Sequence, residues 1–100
     1  MIIDLTYAKK HLKITHNNLD DVLTDNIKAC EEIVLKFLNQ QEDDLFDEYG
    51  QIPHAIKNAV SMLVGSMIEH PESMLTVGVN INPMAMAMLK PYKKIVRYVQ

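Results

Sequence analysis

The residues of this chain that could bind a metal or act as nucleophiles are four histidines and a single cysteine. His11 and His16 are five residues apart, which places them on different faces of a helix, and no His-Glu-x-x-His motif occurs. Cys30 lies on an apolar stripe at helical spacing, so we expect a buried and unreactive thiol. We therefore expect surface or half-buried structural histidines, no metal site and no catalytic cysteine.

A crowded acidic segment is the second chemical feature. Its five carboxylates fall within seven residues: Glu42, Asp43, Asp44, Asp47 and Glu48. The segment lacks the alternating ligands, central glycine and closing glutamate of a calcium-binding EF-hand loop. Two interpretations stay open, a solvated connection and a functional acidic surface. No glycine-rich phosphate loop and no serine nucleophile motif is present. We predict a non-enzymatic protein without a cofactor.

Charge is divided unequally along the chain. Residues 1–89 contain thirteen acidic and six basic residues, a net charge of −7, whereas residues 90–100 contain four bases and no acid. The bases of this tail are Lys90, Lys93, Lys94 and Arg97. Because an acidic body repels a phosphate backbone, we do not expect the body to bind DNA tightly. Only the tail could attract a polyanion or an acidic partner.

The size of the chain, 100 residues, allows one hydrophobic core, so we predict a single domain over residues 1–100. A hydrophobic content of 48% argues against disorder. The first residues lack a basic segment followed by an apolar run, so we expect no signal peptide there. No apolar run approaches the roughly 18 residues of a membrane span. We therefore expect no contact with a membrane.

Apolar residues at spacings of three and four predict two long amphipathic helices. The first covers residues 19–38 and would be about 30 Å long. The second covers residues 53–70, with Pro53 at its first position and Pro71 setting its end. Gly65 inside it should cost about 1 kcal/mol relative to alanine unless a neighbour packs closely there.

The apolar stripes of these two helices are expected to face each other. The stripe of the first helix is Leu19, Val22, Leu23, Ile27, Cys30, Ile33, Val34, Phe37 and Leu38. Six residues of the contact should be largely buried: Leu23, Ile27, Val34, Val60, Leu63 and Met67. Four charged residues outside the stripe are expected to be solvated: Lys28, Glu31, Glu32 and Lys36.

Shorter elements complete the predicted fold. Thr6 is a suitable N-cap for a helix over residues 7–12, and residues 84–89 form a short last helix. Residues 39–51 are a loop with at most one helical turn, and residues 74–82 predict an extended arm or a small hairpin. The fold class is thus all-α. It is a small helical bundle with two long amphipathic helices, short N- and C-terminal helices, and a protruding loop or hairpin arm.

Three methionines alternate near the end of the chain, at Met84, Met86 and Met88. Methionine is flexible and adapts to irregular surroundings. These side chains could fill the core or form a recognition surface, and both interpretations stay open.

Six short segments follow one another in a characteristic order. They are Leu5–Ile14, Asn17–Asp21, Ile52–Val60, Glu69–Glu72, Asn82–Pro83 and Leu89–Lys93. They include a short capped helix, an acidic turn before a long helix, an isoleucine–proline helix start and a leucine–x–proline–tyrosine stretch. In this order they resemble the small head–tail connector (adaptor) proteins of tailed bacteriophages, which dock beneath the portal. The tail beyond Tyr92 is longer and more basic than the family pattern.

The resemblance implies a structural virion protein that forms a ring, expected to be dodecameric, beneath the portal. The ring would connect head to tail and extend the channel through which DNA passes without tight binding. Its partners would be the portal protein and a stopper or tail-completion protein. The subunit would be in the host cytoplasm during assembly, where it could be a monomer, and at the head–tail interface of the virion.

The segregation of charge predicts where partners bind. We expect the acidic segment, residues 42–48, to face the channel or an adjacent subunit. We expect the basic tail, Lys90 to Arg97, to dock on a neighbouring protein. Two alternatives of other classes are a small helical protein-binding regulatory module, similar to an antitoxin, and a nucleic-acid binder that uses the basic tail.

Overall fold

The computed structural model describes residues 2–69 and 83–94, and these residues form helices and loops with no strand. The helices are α1 (Leu5–Leu12), α2 (Asp20–Leu38), α3 (His54–Glu69) and α4 (Pro83–Leu89), with 3-10 turns at Glu42–Leu45 and Lys90–Tyr92. The predicted all-α fold class is confirmed. Within these ranges no helix is long and apolar enough to cross a membrane. The arm predicted at residues 74–82 lies outside the described residues.

Helix α2 forms where the sequence predicts it, because its apolar residues recur on one face. Five side chains of that face have no exposed surface: Leu23, Ile27, Cys30, Val34 and Leu38. The buried stripe is narrower than expected, since Val22 is 50% exposed. Leu38 is the last residue of the helix, and Asn39 caps it with a left-handed backbone (φ 58°) and an N–H that donates to the carbonyls of Leu35 and Lys36.

Helix α3 packs against α2, as the two stripes predict. Val60 and Leu63 are fully buried, and Met67 is partly buried and packs against the core. The helix begins at His54, one residue later than predicted. The Pro53 carbonyl accepts hydrogen bonds from the third and fourth amides that follow it, so the proline lies just before the first turn.

Helix α1 is capped by Asp4 rather than by Thr6. The Asp4 carboxylate accepts a hydrogen bond of 2.7 Å from the backbone N–H of Tyr7, and Thr6 is an exposed residue inside the helix. The earlier start places Leu5 in the helix, so that Leu5 joins Ala8 and Leu12 against the core.

Gly65 lies at a close contact between α1 and α3. A Cβ atom at this position would lie 3.0 Å from the Cδ2 atom of Leu12. The expected cost of glycine inside a helix is therefore offset by a close contact between the two helices. Tyr7 supports the same pairing, because its hydroxyl donates a 3.0 Å hydrogen bond to the Asn58 side chain.

Glu31 is buried, which corrects the prediction that it is solvated. Its carboxylate accepts hydrogen bonds from the backbone N–H groups of Ile2 and Ile3, the latter at 3.1 Å. The isoleucine side chains are 3% and 2% exposed, so the N-terminal segment covers the carboxylate. Burial raises the pKa of Glu31, and the two N–H donors and nearby positive charge only partly oppose that shift.

Helix α4 completes the bundle by packing on α3. Met86 is buried, Met88 is half-buried and Met84 is 62% exposed. Residues two apart differ by about 200° around a helix axis, so the alternating methionines do not form one surface. Met86 fills the core, and Met84 is left on the surface.

Candidate functional site

The acidic loop, which we define as residues 42–50, begins with a 3-10 turn in which Asp44 has a structural role. The Asp44 carboxylate accepts a 3.1 Å hydrogen bond from the N–H of Gln41, whose carbonyl accepts one of 3.0 Å from the N–H of Asp44. Leu45 is 5% exposed and attaches the turn to the core. This part of the loop is therefore folded onto the bundle.

The tip of the acidic loop is organised by Asp47. Its Oδ1 atom accepts hydrogen bonds from the N–H groups of Tyr49 (2.8 Å) and Gln51 (3.0 Å). The backbone of Asp47 also pairs with Gln51 and Gly50 at 2.8 and 3.0 Å. Gly50 has φ +74°, a conformation that glycine adopts without steric cost. Asp47 thus fixes a tight turn. Of the other acidic residues in the loop, Asp43 and Glu48 are exposed and Glu42 is half-buried.

Two aromatic side chains project from the acidic loop. Phe46 is 47% exposed and Tyr49 is 80% exposed. Because the turn around Asp47 is closely hydrogen-bonded, the Tyr49 ring is presented to solvent on an ordered backbone. The sequence prediction concerned the carboxylates alone and missed these rings. The available signal was the turn-forming pair Asp47 and Gly50, with Tyr49 between them.

The first residues of the basic tail are attached to the C-terminal end of α2. The Lys94 N–H donates a 2.9 Å hydrogen bond to the Leu38 carbonyl. The Asn39 side chain donates to the Lys94 carbonyl (3.3 Å), and the Gln40 side chain donates to the Tyr92 carbonyl (2.6 Å). These contacts satisfy a terminal helix carbonyl and place the start of the tail beside the stem of the acidic loop.

The lysines of the tail lie on the surface at this end of the bundle. Lys90, Lys93 and Lys94 are exposed, and the Lys93 ammonium lies 4.7 Å from the centre of the Phe37 ring. Positive charge near the last turn of a helix is favourable because the helix dipole is negative there. Arg97, the fourth predicted residue, lies outside the described residues.

A third surface, which the sequence prediction missed, is formed by α1 and α3. Residues 5–19 and 51–68 contain four lysines and no acid: Lys9, Lys10, Lys13 and Lys57. Lys9 pairs with Asp20 at 2.9 Å, and Lys10 and Lys13 are exposed. We call this surface the basic α1–α3 face. Its signal in the sequence was the absence of acid from two separate segments, which only the packing of α1 on α3 brings together.

A groove of about 390 Å³ opens beside this face, between α1, α3 and α4. It is lined by His11, Leu12, Asn58, Ser61, Met62 and Met88. Ser61 is 5% exposed, and its hydroxyl has no hydrogen-bond partner among the described residues. Buried hydroxyl groups are nearly always hydrogen-bonded, so this one is unusual.

The cysteine and the histidines, which could in principle bind a metal or act as nucleophiles, are the remaining residues to consider. Cys30 has no exposed surface, so its predicted burial is confirmed, and that burial raises the pKa of the thiol to about 12. The His11 ring stacks on Tyr7 with ring centres 4.0 Å apart. His11, His16 and His54 are exposed, and no group of three or more potential metal ligands occurs within residues 2–69 and 83–94.

Comparison with known proteins places the whole bundle in one group. A family model described as phage gp6-like head-tail connector protein matches residues 2–98. No curated protein and no solved structure matches the chain.

Proposed function

Because the chain belongs to the phage gp6-like head–tail connector family, we propose that its copies form a ring beneath the portal and extend the DNA channel. The family role is structural: it joins head and tail of the virion and involves portal and tail proteins and self-association. The observation that carries the proposal is the family match, which includes every described helix and both charged segments.

The acidic loop supports a role at the channel or between subunits. In a ring the loop repeats in every copy, so its negative potential adds up around the passage and keeps phosphates away from the wall. In 0.1 M salt, counter-ions screen exposed charges over about 10 Å. A narrow lumen leaves little room for these ions, so the potential of the loop is screened less there. The structure assigns Asp44 and Asp47 to holding the loop's backbone, so Asp43 and Glu48 are the residues to vary.

The basic tail supports attachment to the portal or to the stopper or tail-completion protein. Lys90, Lys93 and Lys94 are presented from the folded body, since residues 92–94 are hydrogen-bonded to the end of α2. We propose that these three lysines and Arg97 contact an acidic surface of a neighbouring virion protein. Deleting residues 95–100 keeps the contacts with α2 and should weaken that attachment.

Co-assembly with the portal protein tests the proposed function. The portal protein and the chain are mixed, and the mass of the complex is measured by light scattering after size-exclusion chromatography. We expect a complex with one connector subunit for each portal subunit, whether the connector alone is a monomer or an oligomer. Absence of any complex, together with normal head–tail joining in a phage that lacks the gene, would refute the proposal.

A further inference from the structure

The basic α1–α3 face is unusual in a protein whose net charge is −3. Lys57 lies 5.8 Å from the centre of the Tyr7 ring, and Lys10 and Lys57 line one surface depression together with a single acid, Asp4. Their positive charge is therefore concentrated where α1 meets α3. An acidic partner would be attracted to this face, whereas the rest of the folded body is predominantly acidic.

The groove beside that face has a polar group that lacks a partner. Ser61 follows Lys57 by one helical turn, so both lie on the same side of α3. Leu12, Met62 and Met88 give the groove an apolar wall, and the buried Ser61 hydroxyl is its unsatisfied polar atom. A ligand with a flat apolar body and one hydrogen-bonding end would suit this arrangement.

The chain itself carries a group of this kind. Tyr49 is 80% exposed at the tip of the acidic loop, and it does not line the groove of its own subunit. Tyrosine buries a large area with little loss of side-chain entropy, which is why it is frequent at the centres of interfaces. The exposed carboxylates of the acidic loop, at Asp43 and Glu48, complement the lysines of the basic α1–α3 face beside the groove.

We propose that the acidic loop of one copy docks on the basic α1–α3 face of the next copy, with the Tyr49 ring in the groove beside Ser61. For the Tyr49 hydroxyl to donate a hydrogen bond to the Ser61 Oγ atom, which has almost no exposed surface of its own, the flexible methionine side chains of the groove shift on docking. Such a contact joins two different surfaces of the same protein. Repeating it builds a closed ring when the rotation from one copy to the next is a whole fraction of a full turn. This inference rests on the proposed function, and it names the contact that holds neighbouring subunits together.

Charge reversal with rescue tests the pairing. One variant carries Asp43→Lys and Glu48→Lys, and the other carries Lys10→Glu and Lys57→Glu. Assembly with the portal protein is measured by light scattering. We expect each variant alone to lower the affinity for assembly at least tenfold, and a single chain with all four changes to recover most of it. Lys28→Glu, on the exposed side of α2, is the matched control and should assemble normally.

The basic tail is the alternative surface on which the acidic loop could dock, because it is also positively charged and lies at the same end of the bundle as the loop. A variant with Lys90→Glu and Lys94→Glu is therefore combined with the same loop reversal. Rescue by this combination, and not by the changes at Lys10 and Lys57, would overturn the proposal. Circular dichroism of every variant checks that it is folded.

Cross-linking tests the position of Tyr49 independently of charge. Tyr49→Cys and Met62→Cys are combined and treated with a short bismaleimide, while buried Cys30 serves as an unreactive background thiol. We expect a ladder of linked subunits in assembled rings. Tyr49→Cys combined with Lys28→Cys is the control and should give no ladder. An equal ladder in the control, or none in an assembled ring of the test variant, would overturn the proposal.

The hydroxyl pairing has its own measurement. Tyr49→Phe retains the ring and loses the hydroxyl donor, so it should weaken assembly less than Tyr49→Ala. Tyr49→Phe should weaken assembly only while Ser61 is present. In the Ser61→Ala background the difference between tyrosine and phenylalanine at position 49 should disappear. If rings form on the portal with every one of these changes, the proposed function stands and this interface is wrong. If the unaltered chain never joins the portal or itself, the proposed function fails as well.

Discussion

Replacing Leu63 with alanine tests the contact between α2 and α3 on which every proposed surface depends. Leu63 has no exposed surface in the core formed by these helices. Three carbon atoms are lost, which at about 0.8 kcal/mol for each buried methylene gives roughly 2.4 kcal/mol. The cavity that remains adds to this, so we expect the free energy of unfolding to fall by about 3–5 kcal/mol.

Urea denaturation followed by circular dichroism measures this loss. The slope of the free energy against urea should be unchanged, so the loss appears as a lower midpoint. In a thermal melt each kcal/mol corresponds to about 4–8 °C for a domain of this size, so Tm should fall by at least about 12 °C. If Leu63→Ala does not fold, Ile27→Val is the milder variant, with an expected loss of about 0.5–1.5 kcal/mol.

Val22 provides the matched control, because it belongs to the same predicted stripe but is 50% exposed. Val22→Ala should change the free energy of unfolding by no more than about 0.5 kcal/mol. A loss below about 1 kcal/mol for Leu63→Ala, or equal losses for Leu63→Ala and Val22→Ala, would show that the two helices do not pack through these stripes.

Three other predictions concern charge and metals. Burial raises the folded-state pKa of Glu31 above its ordinary value, so its contribution to stability is largest at acidic pH and is lost as pH rises through the folded pKa. The difference in unfolding free energy between the natural chain and Glu31→Gln should therefore vary with pH in that window, and a constant difference would contradict the assignment. Asp43→Asn with Glu48→Gln should leave Tm unchanged but reduce DNA retention in assembled particles, whereas normal packaging and ejection would make the acidic loop a solvated connection only. Chelation with EDTA should leave Tm unchanged, and a drop of several degrees would reveal a structural metal.

The long helices could be predicted from the sequence because the signal that forms them is local. Apolar residues repeat every three or four positions over residues 20–38 and 54–69, and burial follows that repeat at Leu23 and Leu63. The family could be inferred in the same way, since the order of short segments along the chain carried the resemblance that the family model confirms. The burial of Cys30 also followed from its place in the repeat.

The candidate surfaces could be predicted only in part. The sequence located the acidic segment and the basic tail, but their placement at one end of α2 depends on hydrogen bonds such as Gln40 to Tyr92, which are 52 residues apart. Position in the repeat also misassigned Glu31, because the backbone of Ile2 and Ile3 reaches its carboxylate from 29 and 28 residues away.

Tertiary packing alone decided the basic α1–α3 face and its groove. Lysines from two acid-free segments share this face because α1 packs on α3, a contact in which Gly65 lies against the Leu12 side chain. The same packing buries the Ser61 hydroxyl without a partner. Periodicity specifies which side of a helix faces the core, whereas the neighbour of each side chain is set by how separate helices fill the same volume.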